Sequence, residues 1–355
     1  MILTRIVLRN FRGYESLDLR FDKGLTVIEG NNGSGKTNLA EAIYYLSFAK
    51  TWRGNDEGKL IKDGEETAYI EANVVEGVLN RRIGIEILPE GKRITLNGKR
   101  VTKFSELSRL TNILLFAPSD VTLFTGSPGE RRNFLDESLS KQSLDYMALL
   151  GRYHHLLKER NALLKTGNPD RGLLDVLSGQ MMAAALPLVG YRSMYVASLN
   201  EVLPGIVERL TGEKEECRLV YKPFARPDES FPTATRKMFL DALESDLKKG
   251  FTQNGPHRED LKMVFKGKDL SDYGSQGENR VCALATKLAP FFLISGEGKK
   301  PICVLDDVTS ELDEGRVERL IAFLRELGQV FVTTTKLNIP NASFVDVAGN
   351  VAVRR

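Results

Sequence analysis

The chain has 355 residues, of which 42% are hydrophobic and 27% charged, proportions of a soluble globular protein that exclude disorder as the default. Its 50 basic and 47 acidic residues leave a net charge of +3, so any basic surface for a nucleic acid is local. Three widely spaced cysteines without CxxC spacing predict neither a disulfide framework nor a zinc site.

The first predicted strand carries charges that a secretion signal lacks. Arg5, Arg9 and Arg12 interrupt its apolar residues and leave no uncharged core for a signal peptide. No stretch of the sequence reaches the roughly 18 apolar residues that a membrane helix needs. We therefore expect a soluble cytoplasmic protein without a membrane partner.

Residues 1 to about 125 are predicted to form strands and one helix. The runs ILTRIVL, LDLRF and LTVIEG are typical of strands, and Leu39, Ile43 and Leu46 share one face of the helix. TAYIEANVV and RRIGIEIL alternate with the period of two of half-buried antiparallel strands. Asn97-Gly98 lies between short apolar runs and predicts a tight β-hairpin.

The middle of the chain changes to helical spacing. From about Gly129 to Gly250 the apolar residues recur at helical intervals, beginning with Leu135, Leu139, Tyr146, Leu149, Tyr153 and Leu156. After Gly255 strands and helices alternate again, with a helix from about 277 to 293, the strand ICVLDD, a second helix and the strand QVFVTTT. This pattern predicts an α/β domain formed by residues 1–126 and 251–355, with a helical arm of residues 127–250 inserted between them.

A phosphate-binding loop is predicted between the third strand and the first helix. The segment matches GxxxxGK[ST] in the strand–helix context that the motif requires, and an accidental glycine-rich turn is the alternative. Its glycines let backbone N–H groups turn toward phosphate, Lys36 adds a charge at the β- and γ-phosphates, and Thr37 binds Mg²⁺. The predicted ATP-binding residues are Gly30, Asn31, Asn32, Gly33, Ser34, Gly35, Lys36 and Thr37.

Two carboxylates, Asp306 and Asp307, follow the apolar run ICVL, as in a Walker B strand. In an extended strand their side chains point to opposite sides and so serve different roles. We expect Asp306 to bind Mg²⁺ through water. We expect Asp307 to orient or deprotonate the attacking water. Asp307 and Lys36 are the catalytic candidates. An acidic turn at the end of a buried strand is the alternative.

The next segment, Ser275-Gln276-Gly277-Glu278, opens the predicted helix at 277. Ser275 and Glu278 have the spacing of a capping box, which is the structural interpretation. In ABC-type ATPases, however, a Ser-x-Gly-Gln helix start precedes the Walker B strand and caps the γ-phosphate held by the opposite protomer. Downstream, the run from Ser310 to Asp313 looks like the D-loop of the same machinery.

From end to end the sequence resembles the RecF family of ABC/SMC-like ATPases. The matching segments are Asn10-Phe11-Arg12, residues 37–43, 116–120, 126–136, 255–260 and 305–313. The resemblance implies an ABC-type P-loop ATPase head with an inserted arm, an ATP-dependent homodimer and a weak DNA-dependent ATPase. It also implies binding to double-stranded and gapped DNA, cooperation with RecR and RecO in loading RecA, and contact of Arg12 with the nucleotide phosphates.

The sequence departs from the general ABC pattern in three places. No glutamine lies between the first helix and residue 141, so we expect Ser119 or Asp120 to fill part of the Q-loop role. Residues 333–335 are threonines where many ABC proteins have a histidine, and Asp307 is one methylene shorter than the usual glutamate. Each change weakens the positioning of water, which predicts slow hydrolysis.

Basic residues cluster around the predicted hairpin and after the first helix. Local basic strips are sufficient for phosphate contacts, so we expect duplex binding without sequence specificity; a solvated face is the alternative. The DNA-binding candidates are Arg81, Arg82, Arg93, Lys99 and Arg100, with Lys103, Lys50, Arg53, Lys59 and Lys62 as further members.

Three other classes of nucleotide-binding protein have sequence features that this chain does not match. A transporter ATPase subunit has a Q-loop glutamine and a switch histidine and lacks this arm. SMC-type ATPases insert hundreds of heptad residues, for which the arm is far too short. A GTPase has an Asn-Lys-x-Asp motif. We interpret Arg131, Arg132 and His257 as structural residues, with a nucleotide or interface contact as the alternative for His257.

Overall fold

The computed structural model describes residues 1–54, 56–101, 107, 111–294, 299–310, 312–336 and 339–355. Contacts within the chain divide it into two units. The two-sheet unit comprises Met1–Val121, Gly205–Lys214 and Arg280–Arg355. The helical unit comprises Thr122–Pro204 and Glu215–Asn279.

The first sheet of the two-sheet unit has six antiparallel strands in the order β2-β1-β4-β5-β6-β7. Asn97 and Gly98, between β6 and β7, have φ of 50° and 79°, the left-handed values that a two-residue type I′ turn requires. The predicted hairpin is confirmed. The strands are β1 (Ile2–Phe11), β2 (Tyr14–Arg20), β4 (Ala68–Glu76), β5 (Leu79–Leu88), β6 (Gly91–Leu96) and β7 (Lys99–Val101).

The second sheet of this unit has the order β15-β14-β3-β13-β12-β8, and only β14 and β15 pair antiparallel. Its strands are β3 (Gly24–Glu29), β8 (Ile113–Phe116), β12 (Ile302–Leu305), β13 (Gln329–Thr334), β14 (Ser343–Ala348) and β15 (Val351–Arg354). Helix α1 (Lys36–Phe48) shares one hydrophobic core with both sheets. Ten of its 13 residues are buried, as expected of an enclosed helix.

The helical unit contains α2 (Pro128–Gln142), α3 (Leu144–Leu164), α5 (Phe231–Lys249), α6 (Leu270–Tyr273) and most of α4 (Arg171–Thr211). It also has a small sheet of β9 (Cys217–Lys222), β10 (Asp260–Phe265) and β11 (Lys268–Asp269). The sequence predicted that residues 251–279 belong with the C-terminal segment. They group instead with the helical unit, in which β10 pairs antiparallel with β9. The ATPase and arm roles of the two units stay predictions.

The long helix α4 meets the length and composition of a membrane span, contrary to the predicted absence of such a stretch. Core helices of soluble proteins meet the same criterion. Within α4, Arg192 is buried and forms ion pairs with Asp136 at 2.7 Å and Glu259 at 2.5 Å. Its charge is therefore balanced inside the helical unit, and α4 is weak evidence for a membrane span.

The predicted C-terminal alternation of strands and helices is confirmed. Helix α7 (Gln276–Leu293) precedes β12, and α8 (Glu314–Arg325) lies between β12 and β13. Phe292 of α7 stacks on Phe323 of α8 at a ring distance of 5.9 Å. The parallel order β3-β13-β12 brings the ends of β3 and β12 to one edge of the sheet, where the predicted phosphate loop and the two carboxylates meet.

Candidate nucleotide site

The predicted phosphate loop connects β3 to α1, and two of its glycines have no room for a side chain. A Cβ on Gly30 would lie 2.2 Å from the Val347 carbonyl oxygen. A Cβ on Gly35, whose φ is 114°, would lie 2.5 Å from Asn350 Oδ1. The loop leads into the first turn of α1, where backbone N–H groups lack helical partners and attract anions.

Lys36, the first residue of α1, lies against this loop and is only 8% exposed. Its ammonium donates to the carbonyl oxygens of Gly30 at 2.7 Å and Asn31 at 2.8 Å. Burial lowers the pKa of Lys36, while the charges of Asp307 and Asp306 act to raise it. The loop thus holds one ammonium near two carboxylates.

Asp306 connects the end of β12 to the start of α1. Its Oδ1 atom accepts hydrogen bonds from the Thr37 hydroxyl at 3.0 Å and the Thr333 hydroxyl at 2.7 Å. Burial raises the pKa of Asp306, although both hydroxyl contacts oppose the shift. Mg²⁺ that is bound with substrate phosphates takes only a few ligands from the protein and completes its coordination with phosphate oxygens and water. A carboxylate beside a hydroxyl suits such a site. Among the described residues, no group of three or more His, Cys, Asp or Glu is placed to hold a metal ion.

The predicted reason for the different roles of Asp306 and Asp307 is wrong. Strand β12 ends at Leu305, and Asp307 has a left-handed φ of 49°, so the alternation of an extended strand does not apply. The Asp307 N–H donates to the Thr333 hydroxyl at 2.9 Å. The charges of both carboxylates act to raise the pKa of Lys36.

Two residues that the sequence analysis missed support the loop from behind. The Asn350 N–H, in the turn between β14 and β15, donates to the Ser34 carbonyl at 2.7 Å. The Tyr14 hydroxyl donates to the Gly35 carbonyl at 3.1 Å. The only signal for Asn350 is a Gly-Asn pair between two short apolar runs, which predicts a turn but not its contact.

Arg12 lies against α1. Its guanidinium donates to both carboxylate oxygens of Glu41, at 2.8 and 2.9 Å, and to the Lys59 carbonyl at 2.9 Å. Glu41 is fully buried, so the pair fixes the end of β1 to the helix. The implied contact of Arg12 with nucleotide phosphates stays a prediction.

The predicted Q-loop and D-loop residues make local contacts. Asp120 accepts from the Ala117 N–H at 2.8 Å and from Lys287 at 2.9 Å. The Ser310 hydroxyl donates to the Asp307 carbonyl at 3.2 Å, and Asp313 caps α8. Glu311 lies outside the described residues. The Q-loop and D-loop roles of these segments stay predictions.

The predicted capping box at the start of α7 is present. The N–H and hydroxyl of Ser275 both lie 3.0 Å from Glu278 Oε2, and the Glu278 N–H donates to the Ser275 hydroxyl at 3.3 Å. The hydrogen bond from the Ser275 N–H lowers the pKa of Glu278, and the charge of Lys266 acts in the same direction. Ser275 and Gln276 are exposed. The capping box leaves them accessible to a second molecule.

The candidate DNA-binding arginines do not all share one face of the first sheet. Cross-strand pairing places Arg82, Arg93 and Arg100 on its outward face, while Arg81 and Lys99 have the opposite alternation. Arg82 pairs with Glu71 at 2.7 Å and Arg93 with Glu86 at 3.3 Å. Arg81 pairs with Glu76. Lys103 lies outside the described residues.

Three arginines that the sequence analysis did not select lie on the same outward face. The register pairs Arg5 with Arg20 and with Asn73, and Asn73 with Arg82, so these side chains form one row across four strands. Arg9 lies four residues further along β1, on the same face. We call the six arginines of this face the arginine face: Arg5, Arg9, Arg20, Arg82, Arg93 and Arg100. Charges at alternate positions of β1 were the available signal.

His257 and the two arginines of the GERRNFLD segment have partners within the helical unit. His257 Nδ1 lies 2.7 Å from the Tyr153 hydroxyl, and Nε2 lies 3.0 Å from the Thr252 carbonyl, to which it donates. Burial lowers the pKa of His257 to about 4. Arg131 pairs with Asp260 at 2.7 Å, and Arg132 donates to the Glu259 carbonyl at 2.7 Å. These contacts favour the structural interpretation of all three residues.

Comparisons with known proteins agree with this geometry. Residues 2–350 match the model of the RecF/RecN/SMC N-terminal domain family. The chain is 34% identical to the DNA replication and repair protein RecF of Clostridium tetani, covering 96% of this chain and 94% of that protein. It is 35% identical to the RecF of Geobacillus thermodenitrificans, covering 95% and 94%.

Solved structures match over almost the whole length. A structure of the recombination mediator protein RecF with ATP, in the RecFOR pathway, has a TM-score of 0.91 at 28% identity and covers 99% of this chain and 97% of that chain. The Smc head domain of Pyrococcus furiosus has a TM-score of 0.60 at 18% identity and covers 99% and 95%. The second likeness shows the fold alone, and the predicted α/β ATPase head fold is confirmed.

Proposed function

Because the chain belongs to the RecF/RecN/SMC N-terminal domain family and, within it, to the RecF proteins, we propose that it is an ATP-dependent DNA-binding protein of recombinational repair and replication-fork maintenance. The observation that carries this proposal is the meeting of the glycine loop, Lys36, Thr37 and the two carboxylates at one sheet edge. A RecF structure with ATP shares the fold over 99% of this chain.

The loop residues fit a nucleoside triphosphate with Mg²⁺. Gly30 and Gly35 leave a space that a Cβ would fill. Lys36 supplies the positive charge that the phosphates of the nucleotide require. Thr37 and Asp306 are the residues that would hold Mg²⁺, Asp306 through water. The ion, when bound, offsets charge on the β- and γ-phosphates. Lys36 moves its hydrogen bonds from the loop carbonyls to the phosphates.

Asp307 is the residue that orients or deprotonates the attacking water. Its backbone is fixed by Thr333, while Asp306 is occupied by two threonine hydroxyls. The two carboxylates therefore have separate tasks. The aspartate is shorter than the usual glutamate, and threonine stands at the switch position, so turnover is slow.

Two copies of the chain close around two ATP molecules. The exposed start of α7, at Ser275 and Gln276, supplies a helix N-terminus and a hydroxyl for the γ-phosphate bound to the partner copy. We call residues 275–278 the signature segment. A two-fold axis gives each site one phosphate loop and one signature segment. ATP binding drives dimerisation on duplex or gapped DNA, and slow hydrolysis releases it. The dimer acts in the cytoplasm with RecR and RecO to support RecA loading.

The arginine face is the proposed duplex-binding surface. Six arginines from five strands share it with the carboxylates Asp18, Glu71 and Glu86. Their guanidinium groups suit backbone phosphates, and no element of the described chain has the form of a base-reading module. Binding is therefore independent of base sequence and sensitive to salt.

Replacing Asp307 with asparagine is expected to lower ATP turnover at least about 100-fold, because a positioned general base contributes about that factor. Asp306 and Thr37 remain, so ATP still binds. ATP-bound dimers then accumulate and stay longer on DNA. Phosphate release and light scattering measure the two effects, with the exposed Asp63→Asn as the matched control. Wild-type turnover in Asp307→Asn would remove Asp307 from the mechanism.

Removal of three arginines from the arginine face is expected to weaken duplex binding and its salt dependence. Among the described residues, Arg9, Arg20 and Arg100 have no carboxylate partner within 4.0 Å, so these three are free to contact phosphates. Their joint replacement by alanine lowers the slope of log affinity against log salt by up to about 3, roughly 0.9 for each lost contact.

The matched control for this triple variant removes the same charge from the helical unit. Arg152, Arg226 and Arg236 are exposed there, and their joint replacement by alanine keeps the arginine face intact. Fluorescence anisotropy with a labelled duplex, in the presence of ATP and over a salt series, compares the two variants. Equal losses in both would show that net charge, and not the arginine face, carries the affinity.

A further inference from the structure

The buried side chain of Arg280 connects helix α7 to residues 306–308, the Walker B turn that follows β12. Arg280 is 6% exposed, and its Nη2 atom lies 3.2 Å from the carbonyl oxygens of both Asp307 and Val308. Burial of a guanidinium is costly unless its N–H groups are bonded, so the position of the two carbonyls is tied to that of the arginine. This contact lies within the two-sheet unit.

The backbone of Asp307 is held from two directions. Its φ of 49° lies in the left-handed region, which is unfavourable for a residue with a Cβ. Thr333 accepts from its N–H at 2.9 Å, and Ser310 also donates to its carbonyl at 3.2 Å. Of the three residues that hold this backbone, Arg280 is the charged one, and it belongs to α7.

We propose that Arg280 is a positioning residue that sets the direction of the Asp307 carboxylate by holding the carbonyl of the same residue. The direction of a side chain follows from the φ and ψ of its own residue, so rotation of this peptide moves the carboxylate. Displacement of a catalytic group by about 1 Å costs on the order of 100-fold in rate. This inference rests on the proposed function, because it requires Asp307 to act on the attacking water.

The test compares Arg280→Met and Arg280→Lys with Asp307→Asn and the double variant Arg280→Met/Asp307→Asn. We expect Arg280→Met to lower kcat about 10- to 100-fold, with ATP affinity and ATP-dependent dimerisation changed less than 2-fold. Arg280→Lys recovers part of kcat, because one ammonium reaches one carbonyl. In the Asp307→Asn background, Arg280→Met changes phosphate release less than 2-fold, since the carboxylate that it positions is gone.

The matched control is Arg209→Met. Arg209 contacts the other end of α7, with its guanidinium 5.9 Å from the Phe292 ring, and pairs with Glu326 at 2.6 Å. Unchanged kcat in Arg280→Met, or a full additional loss in the double variant, would overturn the inference. If Arg280→Met does not fold, Arg280→Lys is judged by the same criteria. Wild-type turnover in Asp307→Asn would instead contradict the proposed function.

Discussion

Lys36→Met is expected to lower ATP affinity at least about 100-fold. The Lys36 ammonium is held inside the glycine loop, 2.7 Å from the Gly30 carbonyl, and is the fixed charge of that loop. Two charge-assisted hydrogen bonds to phosphate contribute about 1.5–3 kcal/mol each, and 1.4 kcal/mol corresponds to a factor of ten. Methionine has a similar length and no charge, so the loop keeps its packing. Calorimetry with ATP and Mg²⁺ measures the affinity.

The control for this variant is Lys23→Met, an exposed lysine just before β3. Its ATP affinity is expected to match that of the wild type. Circular dichroism of both variants shows whether the fold is retained. Unchanged ATP affinity in folded Lys36→Met would refute the assignment of this loop as the phosphate site.

Ser275→Arg is expected to abolish ATP-dependent dimerisation and to reduce hydrolysis at least about 100-fold, while each monomer binds ATP nearly as well as the wild type. Ser275 is exposed at the start of α7, and an arginine side chain there fills the closed interface. Loss of the Ser275 cap costs about 1 kcal/mol of stability, too little to unfold a protein of this size. Light scattering and phosphate release measure both effects.

Thr233→Arg is the matched control, because Thr233 is an exposed hydroxyl residue in the first turn of another helix, α5. It is expected to dimerise with ATP and hydrolyse it as the wild type does. Ser275→Ala keeps a small side chain and separates the loss of the hydroxyl from the added bulk. Dimer formation by Ser275→Arg in the presence of ATP would contradict the role of this segment in the partner's site.

Local motifs made much of the candidate site predictable. The phosphate loop, the capping box and the Asn97-Gly98 hairpin each depend on residues within about ten positions, where turn and capping chemistry decide the conformation. The α/β architecture followed from the alternation of apolar periods, because each period of two or 3.6 specifies its own element.

Long-range pairing decided what the sequence analysis did not predict. Residues 251–279 group with the helical unit because β10 finds its partner in β9, about forty residues earlier in the chain. Arg81 and Arg82 are adjacent in sequence, yet the sheet register puts only Arg82 on the arginine face. Asp307 leaves the extended conformation because contacts with Thr333 and Arg280, distant in sequence, hold its peptide. Spacing along the chain does not encode such partners.

If two copies of the chain form one ATP-hydrolysing unit, turnover per protomer depends on protein concentration, and a concentration series measures this dependence. Molecular mass is measured by light scattering in the same samples, with ATP and duplex DNA present. We expect turnover per protomer to rise with concentration in step with the dimer fraction, because neither copy has a complete site alone. Constant turnover per protomer over a range in which the protein is monomeric would contradict it.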